Sequence, residues 1–226
     1  MRKSLIAILT VTTLSASGVS AATVINGDFE VSFEGAGQTN GNNFDDLAGS
    51  TGSESWDVWS EIPGWKTIDG TGVEIQTNNT GCNGIKVDAQ SGNHYIELAS
   101  HGVGNSNSTI AQEIEFSAGT YLLSFYYSPR TNKLGQNGIA FGVGDLASSV
   151  SGPTPDLKRG EWTLVQERFT VGDETSSLFF SAFGARDTLG GLVDNISISE
   201  VPLPASSLLL LAGLGGLGAM RRRNKS

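Results

Sequence analysis

The residues between Thr23 and Glu200 best suited to chemistry are aromatic rings set among planar polar groups. Tyr126 and Arg130 lie on and just past one β-rich run, while Tyr95, Gln112 and Trp162 sit in others. A ring offers a rigid apolar plane, and amide, carboxylate and guanidinium groups add directional hydrogen bonds. Such a set suits a flat, hydroxylated ligand such as a sugar: Tyr126, Arg130, Tyr95, Glu97 and Gln112 are expected to line one groove, and Trp162, opening its strand, is a separate candidate contact. Trp65, in a Pro-Gly-Trp turn, reads as a structural plug, whereas Trp56 and Trp59 border a long loop and favour ligand or partner contact. Catalysis has less to stand on. With 23 acids, chance carboxylate pairs are inevitable, and the chain has no Gly-x-Ser-x-Gly or His-Glu-x-x-His pattern. His94 and His101 read as structural or solvated, and Cys82, without a second cysteine, as an idle thiol. The expectation is therefore a chain that is not an enzyme and has no catalytic residues.

Composition narrows the partners. Of 14 basic residues in the 226, six lie in two end segments that contain no acid, which leaves 8 bases against 23 acids, or −15, between them. A region that acidic is a poor partner for nucleic acid, where lysine and arginine must neutralise phosphates. One cysteine excludes a disulfide framework and any multi-cysteine zinc site, and 30 glycines point to many turns. Residues 1–22 run from basic Arg2-Lys3 through a short apolar stretch to Ser20-Ala21-Ala22, the layout of a secretory signal peptide. Residues 201–226 begin Val201-Pro202-Leu203-Pro204-Ala205, continue uncharged to Met220, and close on Arg221-Arg222-Arg223. As a single hydrophobic helix this span would reach about 24 Å, so it barely crosses a membrane, with the arginines as a cytoplasmic stop.

Residues 23–200 must position the rings, and they show no sustained helical period. Short β-rich runs alternate with Gly, Asn, Ser and Pro clusters, which predicts an all-β sandwich or barrel. The expected strands are Gly72–Gln76, His94–Ala99, Thr109–Phe116, Gly119–Ser128, Gly138–Val143, Trp162–Val171, Ser177–Ala182 and Leu192–Ser199. Alternation puts Tyr121, Leu123, Phe125 and Tyr127 toward the core and Leu122, Ser124, Tyr126 and Ser128 on the opposite face. Ile96 and Leu98 alternate with Tyr95 and Glu97 in the same way. Glu34–Ser55 and Gly144–Gly160 read as surface loops.

Two resemblances add to this. The Pro-containing motif, Leu/Gly-rich span and terminal arginines resemble the exosortase sorting tail, the PEP-CTERM class in its VPLPA variant. That resemblance implies a membrane protease of exosortase type acting near Val201–Ala205, and an exported protein of the Gram-negative envelope, surface or extracellular matrix. Second, Asn26-Gly27-Asp28-Phe29-Glu30, Ile62-Pro63-Gly64-Trp65, Ser91–Leu98, Gly119–Phe125 and Gly190–Ile198 occur in an order similar to galactose-binding-like jelly-roll domains related to carbohydrate-binding modules. It implies a jelly-roll β-sandwich and a polysaccharide or glycan ligand. It also implies one structural Ca2+, with Glu30 and Asp194 giving side-chain oxygens and Asp28 and Asn93 backbone oxygens at the Asp88–Asn93 turn. Three functions stay open: a non-catalytic exopolysaccharide-binding module, a structural or adhesive envelope protein, and an extracellular glycoside hydrolase.

Overall fold

The computed structural model describes residues 22–82, 85–101 and 106–202. A short helix, α1 (Phe44–Leu47), and a 3-10 turn (Gly52–Ser55) precede β1 (Trp56–Trp59), β2 (Glu61–Ile62), β3 (Trp65–Asp69) and β4 (Val73–Thr77). Then come β5 (Gly81–Cys82), β6 (Ile85–Lys86), β7 (His94–Glu97), β8 (Ala99–Ser100), β9 (Ser106–Asn107) and β10 (Thr109–Phe116). The chain continues with β11 (Gly119–Pro129), β12 (Gly138–Val143), β13 (Leu146–Val150), β14 (Thr163–Val171), β15 (Glu174–Phe183) and β16 (Gly191–Glu200).

Two six-stranded sheets form, one ordered β1-β4-β7-β16-β11-β14 and the other β13-β12-β15-β10-β3-β2. Their paired strands run antiparallel. Apart from the β12–β13 hairpin, the chain from β10 onward changes sheet at every connection, so this is an all-β jelly-roll sandwich. The core lies between the sheets. Tyr121, Leu123, Phe125 and Tyr127 are buried from β11, as the alternation requires, and Phe125 packs edge-on against Phe141 and Phe180 at 4.8 and 5.0 Å.

The motifs near the start of the described chain act as a joint. Asn26 Nδ2 donates to Pro63 O at 3.0 Å and Trp65 Nε1 to Asn26 O at 3.1 Å, so Trp65 is the expected plug. Gly27 packs so tightly on β16 that a Cβ would sit 2.0 Å from Ile196 O.

Three sequence expectations change. Gly144–Gly160 contains strand β13, a half-exposed edge whose Ala-Ser-Ser centre carries little β signal. Glu34–Ser55 is folded rather than a plain loop: Phe44 and Leu47 are buried, and the Asp57 carboxylate accepts N–H groups from Thr39, Asn40 and Asn42 at 2.7–3.2 Å. Tyr95 and Glu97, expected to face outward from the core, are 1% and 0% exposed. They do lie on the outer side of their sheet, but other segments cover them there.

Candidate functional site

The outer face of the first sheet divides into a sealed half and an open half. In the sealed half, Glu74, Gln76 and Glu97 project from β4 and β7 beside Arg130, the first residue after β11. Gln76 Nε2 bridges the two carboxylates, 2.7 Å from Glu74 Oε1 and 2.6 Å from Glu97 Oε2. Arg130 Nη1 pairs closely with Glu97 Oε2 and lies 3.8 Å from Glu74 Oε1. His101 closes the cluster, its backbone N and ring Nδ1 meeting Glu74 Oε2 at 2.9 and 2.7 Å. That hydrogen bond raises the His101 pKa above its ordinary 6.5. Trp56 lies over the imidazole, ring centres 4.7 Å apart.

Two facing carboxylates are thus present, as a glycoside hydrolase needs. Both are wholly buried, however, and the Gln76 amide fills the place that water and a scissile bond would take. Arg130 is consumed by this cluster rather than offered to a groove. Tyr95 is likewise closed off: Val87 and Leu192 pack with it, and the Trp162 ring meets it edge-on at 5.7 Å. Burial pushes the Tyr95 phenol pKa strongly up. Trp162 is half-buried, and its Nε1 donates to Asp88 O at 2.7 Å. Gln112 does not join these residues at all. It belongs to β10 of the other sheet and clamps the first loop, its Nε2 donating to Ile25 O and Gly64 O at 2.9 and 2.7 Å.

The open half is built by β11 and β14. Antiparallel register sets Tyr126 opposite Leu164, Ser124 opposite Gln166 and Leu122 opposite Arg168, each pair on one face. The β11 members are half-buried and the β14 members exposed. Gln166 Nε2 donates to Ser124 Oγ at 3.1 Å, and exposed Ser197 and Ser199 extend the strip along β16. Tyr126 is therefore where the sequence placed it. Its partners Gln166 and Arg168 were missed: alternation in β14 marks them as outward, but nothing local says which strand lies beside them.

Of the residues expected at a metal, Glu30 and Asp194 reach the 88–94 turn that contains Asn93, while Asp28 is tied to Glu30. Glu30 Oε1 accepts the Asn93 and His94 N–H groups at 2.7 Å each, and its Oε2 meets His94 Nδ1 at 2.7 Å. Asp194 Oδ2 accepts from Gln90 and Ser91 at 2.8 and 3.1 Å, and its Oδ1 from Asn195 at 2.6 Å. Asp28 Oδ1 accepts the Glu30 N–H at 3.5 Å. Calcium takes six to eight oxygens, and here the carboxylate oxygens are occupied by N–H donors, which hold the turn by themselves. The donor set in this arrangement does not fit calcium. Among the described residues, no group of three or more His, Cys, Asp or Glu gathers for a metal. Burial pushes the Asp194 carboxyl up to about 7, although its three backbone hydrogen bonds act the other way.

At its far end β16 delivers the chain to Val201, whose N–H is fixed to Thr120 O at 2.8 Å, and to exposed Pro202. Residues 200–224 match the PEP-CTERM protein-sorting motif. The chain carries an exosortase sorting tail. It is accordingly an exported protein of the Gram-negative envelope or surface. The remaining motif residues Leu203, Pro204 and Ala205, the expected hydrophobic span and membrane stop Arg221–Arg223, and residues 1–21 of the expected signal peptide lie outside the described residues.

No curated protein matches the sorted chain. Among solved structures, the Stig cyclase Fisc from Fischerella sp. TAU, in complex with (3Z)-3-(1-methyl-2-pyrrolidinylidene)-3H-indole, is 14% identical over 82% of this chain and 100% of its own, with TM-score 0.49. A family 35 carbohydrate binding module from Clostridium thermocellum is 14% identical over 67% of this chain and 96% of its own, TM-score 0.40. A carbohydrate binding module of Cellvibrio mixtus lichenase 5A, in complex with cellotriose, is 11% identical over 50% and 82%, TM-score 0.35.

Proposed function

We propose that the sandwich is a non-catalytic glycan-binding domain, exported to the cell surface or exopolysaccharide matrix and released there by an exosortase-type protease. The observation that carries this reading is the open strip of β11 and β14. Its Tyr126 ring and Leu164 give an apolar surface, and Gln166, Arg168, Ser124 and Ser197 surround it with hydrogen-bonding groups. Such a strip needs no acid–base machinery, and the two carboxylates that resemble such machinery are sealed behind Arg130 and Gln76. Trp162, two residues before Leu164 on the same face, borders the strip.

The test is a screen of neutral glucans, galactans and exopolysaccharides against the purified protein. Saturable binding is expected, weakened roughly tenfold by Tyr126→Ala, the scale of one lost aromatic platform. Saturable binding that survives Tyr126→Ala unchanged would remove the strip from the site. If a well-folded sample binds no glycan, the structural or adhesive role takes its place. Exposed Ile25 and Ile68, which line a cavity of about 390 Å3 on the other sheet, are the surface that would then be examined.

A further inference from the structure

One side wall of the sandwich carries two open strand edges. β14 ends the first sheet and β13 the second, and each pairs on one side alone, with β11 and with β12. The opposite wall is closed: Gln38 N donates to Val58 O of β1 at 2.8 Å, and β1 passes directly into β2 of the other sheet. Two hydrogen bonds fix which way the β14 backbone faces. Thr120 O accepts from Val201 N at 2.8 Å on the β16 side of β11, and Thr170 N, opposite Thr120, donates to Asp145 Oδ1 at 2.8 Å. Thr170 therefore points away from β11, and by alternation so do the N–H and C=O groups of Leu164, Gln166 and Arg168. In β13 the two-residue turn Gly144-Asp145 makes Leu146 the bonded partner of Val143, so Ala147 and Ser149 face the open side. Among the described residues no strand pairs with either row. An open row is a template for another strand, commonly blocked by lysine or proline, and neither strand contains one.

We infer that this wall binds a second copy of the chain, β14 against β14 and β13 against β13, antiparallel about a two-fold axis, so that both sheets run on from one copy into the other. Charge selects that occupant. Between the chain's two ends 8 bases stand against 23 acids, so two copies repel over most of their surface. β13 carries no charge, and β14 carries only Glu167 and Arg168, which cancel. Register follows from the same residues. Centred on Gln166, the pairing sets Gln166 against its own copy and Leu164 against the second copy's Arg168, and every open N–H and C=O of these three residues gains a partner. Half-buried Glu167 then faces the second copy's Val165, whereas a pairing centred on Glu167 would oppose two carboxylates. The two layers agree. Counted from the Thr170–Asp145 contact, Gln166 and Ser148 lie level to within one residue's rise of about 3.4 Å, so one axis serves both strands. About Ser148, small Ala147 meets the second copy's Ser149. On the outer face the row of Ser124 and Gln166 continues into the second copy's Gln166 and Ser124, which joins the two open strips into one surface.

The full chain is followed by sedimentation velocity in mild detergent, which covers the uncharged run 206–220, over about 1–200 µM, the range of a small reversible interface. A monomer–dimer equilibrium is expected, tightened by raised salt, which screens the repulsion between two acidic copies. Because residue 166 opposes its own copy, Gln166→Lys and Gln166→Glu should each weaken the dimer by roughly tenfold or more, and an equal mixture of the two should restore it. The Gln166 side chain is exposed, so both variants should melt at the parent temperature. A chain that stays monomeric throughout overturns the proposal. So does a dimer that neither variant weakens, which would put the contact elsewhere, and so does a weakened dimer that the mixture fails to restore, which would break the register. No glycan is present in any arm, so the outcome is independent of what the sheet face binds.

Discussion

Asp194 and His101 both hold a proton more tightly in the folded chain than in the unfolded one. For Asp194 the folded value is about 7 against an ordinary 3.8, so the folded chain keeps a proton that the unfolded chain releases, and stability falls as pH rises across that interval. For His101 the raised value makes its contribution complete below pH 6.5 and lost as pH climbs through the folded value. Melting temperature should therefore be lower at pH 8 than at pH 5. Asp194→Asn should flatten the slope below pH 7 and His101→Gln the slope above 6.5. Arg130 makes a different prediction. Arg130→Ala would leave Glu74 and Glu97 buried without their cation, and should cost about 3–5 kcal/mol in urea unfolding. The calcium expected at Asp28, Glu30, Asn93 and Asp194 is tested by melting with calcium and with chelator. Closure by N–H donors predicts equal temperatures, and a higher one with calcium would mean the carboxylates turn from the amides to the ion.

At the scale of elements, the 34–55 segment shows how one side chain can order a loop. Asp57, buried in β1, collects the N–H groups of Thr39, Asn40 and Asn42, groups that sheet pairing does not satisfy. Asp57→Ala should cost about 1–3 kcal/mol, the scale of buried donors left unpaired, and should open residues 37–43 to limited proteolysis. Gly27→Ala tests the joint between the first loop and β16, because its methyl group would be driven into the Ile196 carbonyl; the expected result is a lower melting temperature. The strands of the central sandwich were legible because their periods are clean: Thr109–Phe116 and Gly138–Val143 appear with the bounds that alternation implies. Strands β1, β2, β3 and β13 were not, since short segments at or next to a sheet edge and rich in Trp, Glu, Lys or Ser carry no apolar rhythm.

At the scale of the whole molecule, the sandwich separates its surfaces. The sorting segment leaves one end, the strip with Tyr126 runs along one face, and the open edges of β13 and β14 form one wall. The sequence alone determined the export address at residues 200–224, the all-β class, the core face of β11 and the outward place of Tyr126, because each is written in contiguous residues or in a short period. Only the tertiary structure decided that Arg130 turns inward to Glu97, that Gln112 serves the opposite sheet, and that Gln166 and Arg168 stand beside Tyr126. It alone set the open edges of β13 and β14 along one wall. The physical reason is the same in every case. A strand's alternation specifies which side a residue faces, but the neighbour across the sheet and the segment covering that side come from chain positions tens of residues away, and no local pattern encodes that pairing.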